Sequence, residues 1–243
     1  MLPCPEGAVT KLRREFKLIV PESYALALAA RLTEDAAGAQ PEPTRITSVY
    51  FDRPGQPLSV RARLHPEDCL KVRTKEYSPD RGSSGAARVV LEVKRERNGV
   101  THKRRVWATR AEFRKVLRGG ASLLPLIAGG TLVPVLAVTY QRHVYQGGDA
   151  WRVTIDRDIA FHPVTAELAM SGEQLTAERL GAPAFRDSQV IIEVKHLGKV
   201  LPEWLANLNP GGPAAYSKFA EGMTRLNERR AMGVTEGIQA RVH

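Results

Sequence analysis

Val190-Ile191-Ile192-Glu193-Val194-Lys195 is a β-branched apolar run with two ionic side chains set two residues apart in its second half. Side chains of a strand alternate between its faces, so Glu193 and Lys195 share one face while Ile192 and Val194 share the other. The pattern returns along the chain. Leu91-Glu92-Val93-Lys94 repeats it, and Arg152-Val153-Thr154-Ile155-Asp156 puts Val153 and Ile155 on one face. Arg13-Arg14-Glu15-Phe16-Lys17, Lys71-Val72-Arg73-Thr74-Lys75, Lys103 with Arg105, and Tyr140 with Arg142 space their polar positions the same way. A single strand of this kind is an ordinary solvent-facing strand. Its recurrence on strands spread over the whole chain, with Arg, Lys, Glu and Asp where an exposed face would admit Thr, Ser and Gln, points to one shared ionic surface.

If these strands form one antiparallel sheet closed into a barrel with the charged face inward, the interior is polar and strongly basic. The apolar residues then pack outward against helices, which inverts the usual small barrel. Few helices are expected. Pro21-Glu22-Ser23 opens an Ala/Leu-rich run to Leu32. Thr109 followed three residues later by Glu112 reads as a capping box before Phe113, Val116 and Leu117. Glu203 to Leu208 and the stretch after Ser217 read as two more. The expected fold class is therefore α+β: an antiparallel β-barrel tunnel with a charged interior and a few external helices. Residues 1–225 are expected to make one domain. Residues 226–243, without clear apolar periodicity, read as a tail that frays. Gly82-Ser83-Ser84-Gly85 reads as a flexible hairpin tip.

The chain has 243 residues, 43% hydrophobic and 26% charged, a composition that excludes a wholly disordered protein. Cys4 and Cys69 cannot build a disulfide framework. No unbroken apolar stretch reaches the length of a membrane helix, and the first residues lack the apolar core of a signal peptide. The expectation is a soluble cytoplasmic protein. The formal charge of +10 predicts an anionic partner. No HExxH pair, zinc-ligand spacing, GxxxxGK[ST] loop or Gly-x-Ser-x-Gly elbow is present. Aromatic residues make up only 6%, and the basic residues alternate on strands, so nucleic acid is not the expected partner.

A basic interior is costly when empty: like charges about 5 Å apart repel by roughly 3 kcal/mol at an effective dielectric near 20. Its natural occupant is a linear chain of phosphates, which Arg forks and Lys point charges bind well. The carboxylates need a separate role. Glu193, mid-strand between Ile192 and Val194, reads either as a ligand of a divalent cation bridging to phosphate or as a salt-bridge partner. Glu15, Glu92 and Asp156 read as salt-bridge partners that hold the basic side chains.

The ordered motifs Arg13-x-Glu15-x-Lys17, Thr47-Ser48-Val49-Tyr50-Phe51-Asp52, Arg73-x-Lys75-x-Tyr77, Leu91-Glu92-Val93-Lys94, Lys103-x-Arg105, Tyr140-x-Arg142, Arg152-x-Thr154-x-Asp156, Ile192-Glu193-Val194-Lys195 and Ser217-Lys218-Phe219 resemble the VTC domain. This is the polyphosphate polymerase domain of the triphosphate tunnel metalloenzyme (CYTH-like) superfamily, and the match spans roughly residues 10 to 225. The resemblance implies a phosphotransferase that moves the terminal phosphate of ATP onto polyphosphate with a divalent metal, Mn²⁺ or Mg²⁺. It implies Lys17, Arg73, Lys75, Arg142, Arg152 and Lys195 as catalytic phosphate contacts, with Lys94, Lys103, Arg105, Ser217 and Lys218 binding phosphate and Glu193 holding the metal. The implied partners are ATP and inorganic polyphosphate. Any export of polymer would need a membrane channel from another chain. An inorganic triphosphatase and a non-catalytic polyphosphate- or nucleotide-binding module are the alternatives. Arg13 stands where hydrolytic relatives carry a glutamate, which points away from a simple triphosphatase. Lys75 and Phe219 replace the family's arginine and tyrosine.

Overall fold

The computed structural model describes residues 14–35, 41–79, 88–98, 100–118, 131–148, 150–196, 203–208 and 216–239. Cys4, Arg13 and the Gly82–Gly85 tip lie outside them. In chain order the elements are β1 (Arg14–Val20), α1 (Glu22–Asp35), β2 (Thr44–Asp52), α2 (Pro57–Leu64), β3 (Leu70–Pro79), β4 (Arg88–Arg97), β5 (Val100–Thr109) and α3 (Arg110–Arg118). They continue with β6 (Val133–Gly147), β7 (Trp151–His162), α4 (Ala166–Ala169), α5 (Ala177–Leu180), β8 (Phe185–Arg186), β9 (Val190–His196), α6 (Glu203–Ala206) and α7 (Lys218–Gln239). The hydrogen-bonded strand order is β1-β9-β7-β6-β2-β3-β4-β5, with β8 on β7. The fold class is the expected one, α+β on an antiparallel sheet with several helices. Among the described residues no helix is long and apolar enough to cross a membrane.

The chain divides into two compact units. The first comprises residues 1–41, 143–156 and 189–214. Its sheet pairs β1 with β9 and β9 with the start of β7. One face of that sheet is apolar: Val153, Ile155, Val190, Ile192 and Val194 are buried, with Phe16 and Leu18 packed against them. Helix α1 lies in the same cluster through Ala25, Leu28, Ala29 and Leu32, the i, i+3, i+4, i+7 stripe of an amphipathic helix. Each buried leucine contributes roughly 1.5–3 kcal/mol by leaving water. The polar residues between these positions are thereby confined to the other face.

The second unit comprises residues 42–142, 157–188 and 215–243 and carries β2 to β5 with the start of β6. Val49, Phe51, Val72, Val89, Leu91, Val93 and Ala137 form its apolar face, against which Phe113 of α3 packs. The capping box forms as the sequence predicts: Thr109 N and Oγ1 both donate to Glu112 Oε2, at 2.7 and 2.8 Å, and Glu112 N donates back to Thr109 Oγ1. On the same face Glu76 accepts from Arg110 and from Leu175 N, and Arg110 also donates to Ala169 O at 2.9 Å. Proline shapes the β2–β6 ladder. Pro134 has no N–H to donate, and the register slips between Tyr50 and Phe51 beside it.

Helix α2 escapes the sequence reading. Pro57 occupies its first turn, and the buried Asp52 carboxylate accepts from Leu58 N at 2.9 Å and Ser59 N at 2.8 Å. The cap therefore comes from the end of a preceding strand, outside the local window a capping motif occupies. Helix α7 runs past Asn227 to Gln239, so the segment set apart as a tail is helical that far. At Gly222 a Cβ would stand 2.6 Å from both Leu136 and Phe161, so glycine is what lets α7 lie this close to the strands.

Candidate functional site

Antiparallel partners directly opposite each other share a face, so the ladder registers sort the ionic residues into rows. In the second unit Tyr50, Arg73, Glu92 and Arg105 form one row across β2, β3, β4 and β5. Ser48, Lys75, Val90 and Trp107 form the next in one direction, and Lys71, Lys94 and Lys103 the next in the other. Five residues expected to bind phosphate, Arg73, Lys75, Lys94, Lys103 and Arg105, thus stand on one face, opposite the apolar one.

Glu92 is the centre of this face, with no exposed surface. Arg73 Nε donates to Glu92 Oε1 at 2.9 Å, Arg105 Nε donates to Oε2 at 2.8 Å, and Lys75 Nζ lies 3.6 Å from Oε1. Burial alone would raise the Glu92 pKa, but Arg73, Lys75, Lys103 and Arg105 outweigh it and hold the carboxyl well below the usual range. Lys75 has the opposite fate. It is 4% exposed, and burial together with Arg73, Arg142 and Lys103 pushes its pKa down to about 6 against the pull of Glu92. One carboxylate cannot satisfy three cations, and the two guanidinium groups take it through their Nε–H donors.

Aromatic rings complete the row. Arg73 donates to Tyr50 Oη at 2.8 Å, and its guanidinium lies 5.6 Å from the ring centre. Phe219 of α7 stacks on Tyr50 at 5.0 Å, which fixes the first turn of α7 beside the ionic face. Lys218 Nζ stands 4.6 Å over the Tyr140 ring, which Arg142 also approaches at 5.4 Å. Ser217 caps α7, accepting from Ala220 N at 3.4 Å. Tyr140 shares a face with Arg142 by its two-residue spacing, whereas only the strand register brings Tyr50 opposite Arg73.

In the first unit the rows are Glu15, Lys195 and Arg152, then Lys17, Glu193 and Thr154. All four predicted residues of this unit, Lys17, Arg152, Glu193 and Lys195, therefore stand on one face. Lys195 bridges two carboxylates, bonding Glu193 and lying 3.6 Å from Glu15, while Lys17 lies 3.8 Å from Glu15. Thr154, opposite Glu193, is buried, and among the described residues its Oγ1 has no hydrogen-bond partner. These are hard oxygen donors converging on a cationic group, with a buried hydroxyl beside them. They fit a Mg²⁺- or Mn²⁺-type ion that takes one or two carboxylates and completes its shell with water and phosphate oxygen. Among the described residues no group of three or more His, Cys, Asp or Glu gathers.

A cavity of 610 Å³ in the second unit is lined by Arg45, Thr47, Thr139, His162, Gly181 and Arg186, among others, and by none of the predicted residues. His162 is held there between Thr139 Oγ1 and Gly181 O, each at 3.1 Å, and its burial lowers its pKa.

Residues 12–227 match the family model of the VTC domain. The chain belongs to the VTC domain family. No curated protein matches it. Among solved structures it is similar to the PH1819 protein from Pyrococcus horikoshii OT3, at 13% identity over 88% of this chain and 98% of that one, with a TM-score of 0.48. It is also similar to the Hippeastrum protein HpAC1, described as having a dominant triphosphatase activity, at 16% identity over 88% and 96%, with a TM-score of 0.49. A third is the Mimivirus capping enzyme triphosphatase, at 9% identity over 79% and 84%, with a TM-score of 0.41.

Proposed function

We propose that this chain is a polyphosphate polymerase-type phosphotransferase, moving the terminal phosphate of ATP onto a chain of inorganic phosphates. The observation that carries the reading is the Glu92-centred face, where cations outnumber the carboxylate they share and one of them, Lys75, is driven towards its neutral form. Such a face is poised for a ligand with several closely spaced negative charges. Arg73, Lys75, Lys94, Lys103, Arg105, Arg142, Lys218 and the Ser217 hydroxyl bind phosphate oxygens in this reading, with Lys17, Arg152 and Lys195 acting likewise in the first unit. Residues 1–225 form the working module, and the basic tunnel that the family resemblance implies is part of the proposal.

The chemistry asked of these residues is electrostatic. Charge spreads over the equatorial oxygens of the transferred phosphoryl group, and fixed guanidinium and ammonium groups stabilise it without reorganising. The nucleophile is a terminal phosphate oxygen of the acceptor chain, already ionised at neutral pH, so no general base is needed. Lys75 takes up a proton as phosphate arrives, because a nearby anion raises an ammonium pKa. Glu193, with Glu15 beside it, would hold the divalent cation, which would supply charge neutralisation on the phosphate oxygens.

The test is incubation of the purified chain with ATP and Mn²⁺, followed by separation of the products. Growth of long-chain polyphosphate supports the proposal. Orthophosphate released from tripolyphosphate without chain growth overturns it in favour of a triphosphatase, and tight binding without turnover overturns it in favour of a binding module.

A further inference from the structure

Two aromatic side chains stand on the ionic face of the second unit with much of their surface in water. Tyr77 shares its face with Arg73 and Lys75 at two-residue spacing, and Trp107 shares its face with Lys103 and Arg105. They are 38% and 53% exposed, and their rings stack 6.1 Å apart at 25°. Val90, opposite both Lys75 and Trp107, is fully covered between them. β5 ends the strand order, and edge strands usually carry charge to discourage pairing. Lys103, Arg104 and Arg105 meet that need, but a half-exposed tryptophan works against it.

Rows of a strand lie about 7 Å apart, so Trp107 is one row and Tyr77 two rows from Arg73, Glu92 and Arg105, and Lys94 and Lys103 lie one row further on. A nucleoside triphosphate has this layout, with a flat apolar group at one end and charges in file from the other. We propose that Tyr77 and Trp107 form the platform on which the base of the donor nucleotide stacks while its phosphates lie along the Arg73–Glu92–Arg105 row. The inference rests on the phosphate-binding reading of this face and adds the recognition of the nucleoside. A purine, with the larger stacking area, suits the paired rings. One platform holds one base, which favours a mononucleotide over a nucleic acid strand.

The experiment is titration of the full chain with ATP and, separately, with inorganic tripolyphosphate, for the wild type, Trp107→Ala, Tyr77→Ala and Trp107→Phe. The expected result is that either alanine variant weakens ATP binding about 5- to 150-fold, the range for loss of one stacked base, and leaves tripolyphosphate binding unchanged. Trp107→Phe keeps most of the ATP affinity because a ring remains. Unchanged ATP affinity in both alanine variants, with tripolyphosphate still bound, overturns the platform and leaves the phosphate reading intact. Equal weakening of both ligands also overturns it, since a merely structural role predicts that. A short single-stranded DNA held more tightly than ATP, and lost in Trp107→Ala, overturns it in favour of nucleic acid. If the wild type binds neither ATP nor tripolyphosphate, the phosphate-face reading itself falls and the platform with it.

Discussion

Glu92 and Glu193 occupy equivalent places, each mid-strand on the ionic face of its own unit, yet their surroundings differ in kind. Glu92 is buried against Arg73, Arg105 and Lys75, so the positive charge around it exceeds what one carboxylate can offset. Glu193 keeps 16% of its side chain exposed and shares Lys195 with a second carboxylate, Glu15. In one place several cations share a carboxylate, and in the other two carboxylates share a lysine. In the proposed reading the first arrangement attracts an anion, and the second would exchange an ammonium for a divalent cation. The difference lies in which partners the registers bring opposite, since both strands carry the same Glu-x-Lys pair.

The largest effect is expected for Glu92→Gln. Removing the shared charge leaves the Arg73 guanidinium without its buried partner, and the expected loss is about 3–5 kcal/mol in chemical denaturation, the range for breaking a buried ionic network. Added tripolyphosphate should restore more stability to the variant than to the wild type. If Glu92→Gln is as stable as wild type, the surplus-cation picture fails.

Glu193→Ala tests the other face. Turnover with Mn²⁺ should fall about 100-fold or more, in line with the several kcal/mol a bound metal contributes, while tripolyphosphate binding changes little. Full activity in this variant would return Glu193 to a scaffold role.

Lys75 links charge surplus to pH. Its folded pKa of about 6 lies far below the roughly 10.4 of an unfolded chain, so between these values the unfolded state binds more protons. The contribution of Lys75 to stability is therefore fully present above the unfolded value and is lost as pH falls towards 6. Lys75→Met should flatten that slope and stabilise the empty protein at pH 7 by on the order of 2 kcal/mol. It should also weaken tripolyphosphate binding. Because binding requires proton uptake by Lys75, wild-type affinity should decline above about pH 6 relative to the Met variant. Identical pH profiles for the two proteins would remove Lys75 from the site.

The smallest effect on stability is expected for Arg105→Gln. Its side chain is half-exposed, so its ion pair is screened and worth under about 1 kcal/mol to the fold. A several-fold loss of tripolyphosphate affinity with an almost unchanged melting curve would separate binding from folding on this face. A large fall in stability would show that Arg105 serves the network around Glu92.

Much of the site could be read before the fold because a strand's period is two: Arg73 with Lys75, Lys103 with Arg105 and Glu193 with Lys195 had to share faces whatever their neighbours. The α3 cap was equally legible, since Thr109 and Glu112 meet within one turn. Helix α2 was hidden because its capping carboxylate, Asp52, belongs to a strand that ends before the helix begins. The aromatic component was hidden for a related reason. The sequence reading gave the basic strands no stacking partners, yet Tyr50 reaches Arg73, and Tyr77 meets Trp107 thirty positions further on.

Alternation along each strand, a local steric property of the extended backbone, was enough to separate an ionic face from an apolar one and to nominate candidate phosphate-binding side chains. Which cation meets which carboxylate depends on strand order and register, which arise from long-range pairing. That pairing made Glu92 a crowded centre, set Glu193 and Glu15 on one lysine, and lowered the pKa of Lys75 by burying it among other charges.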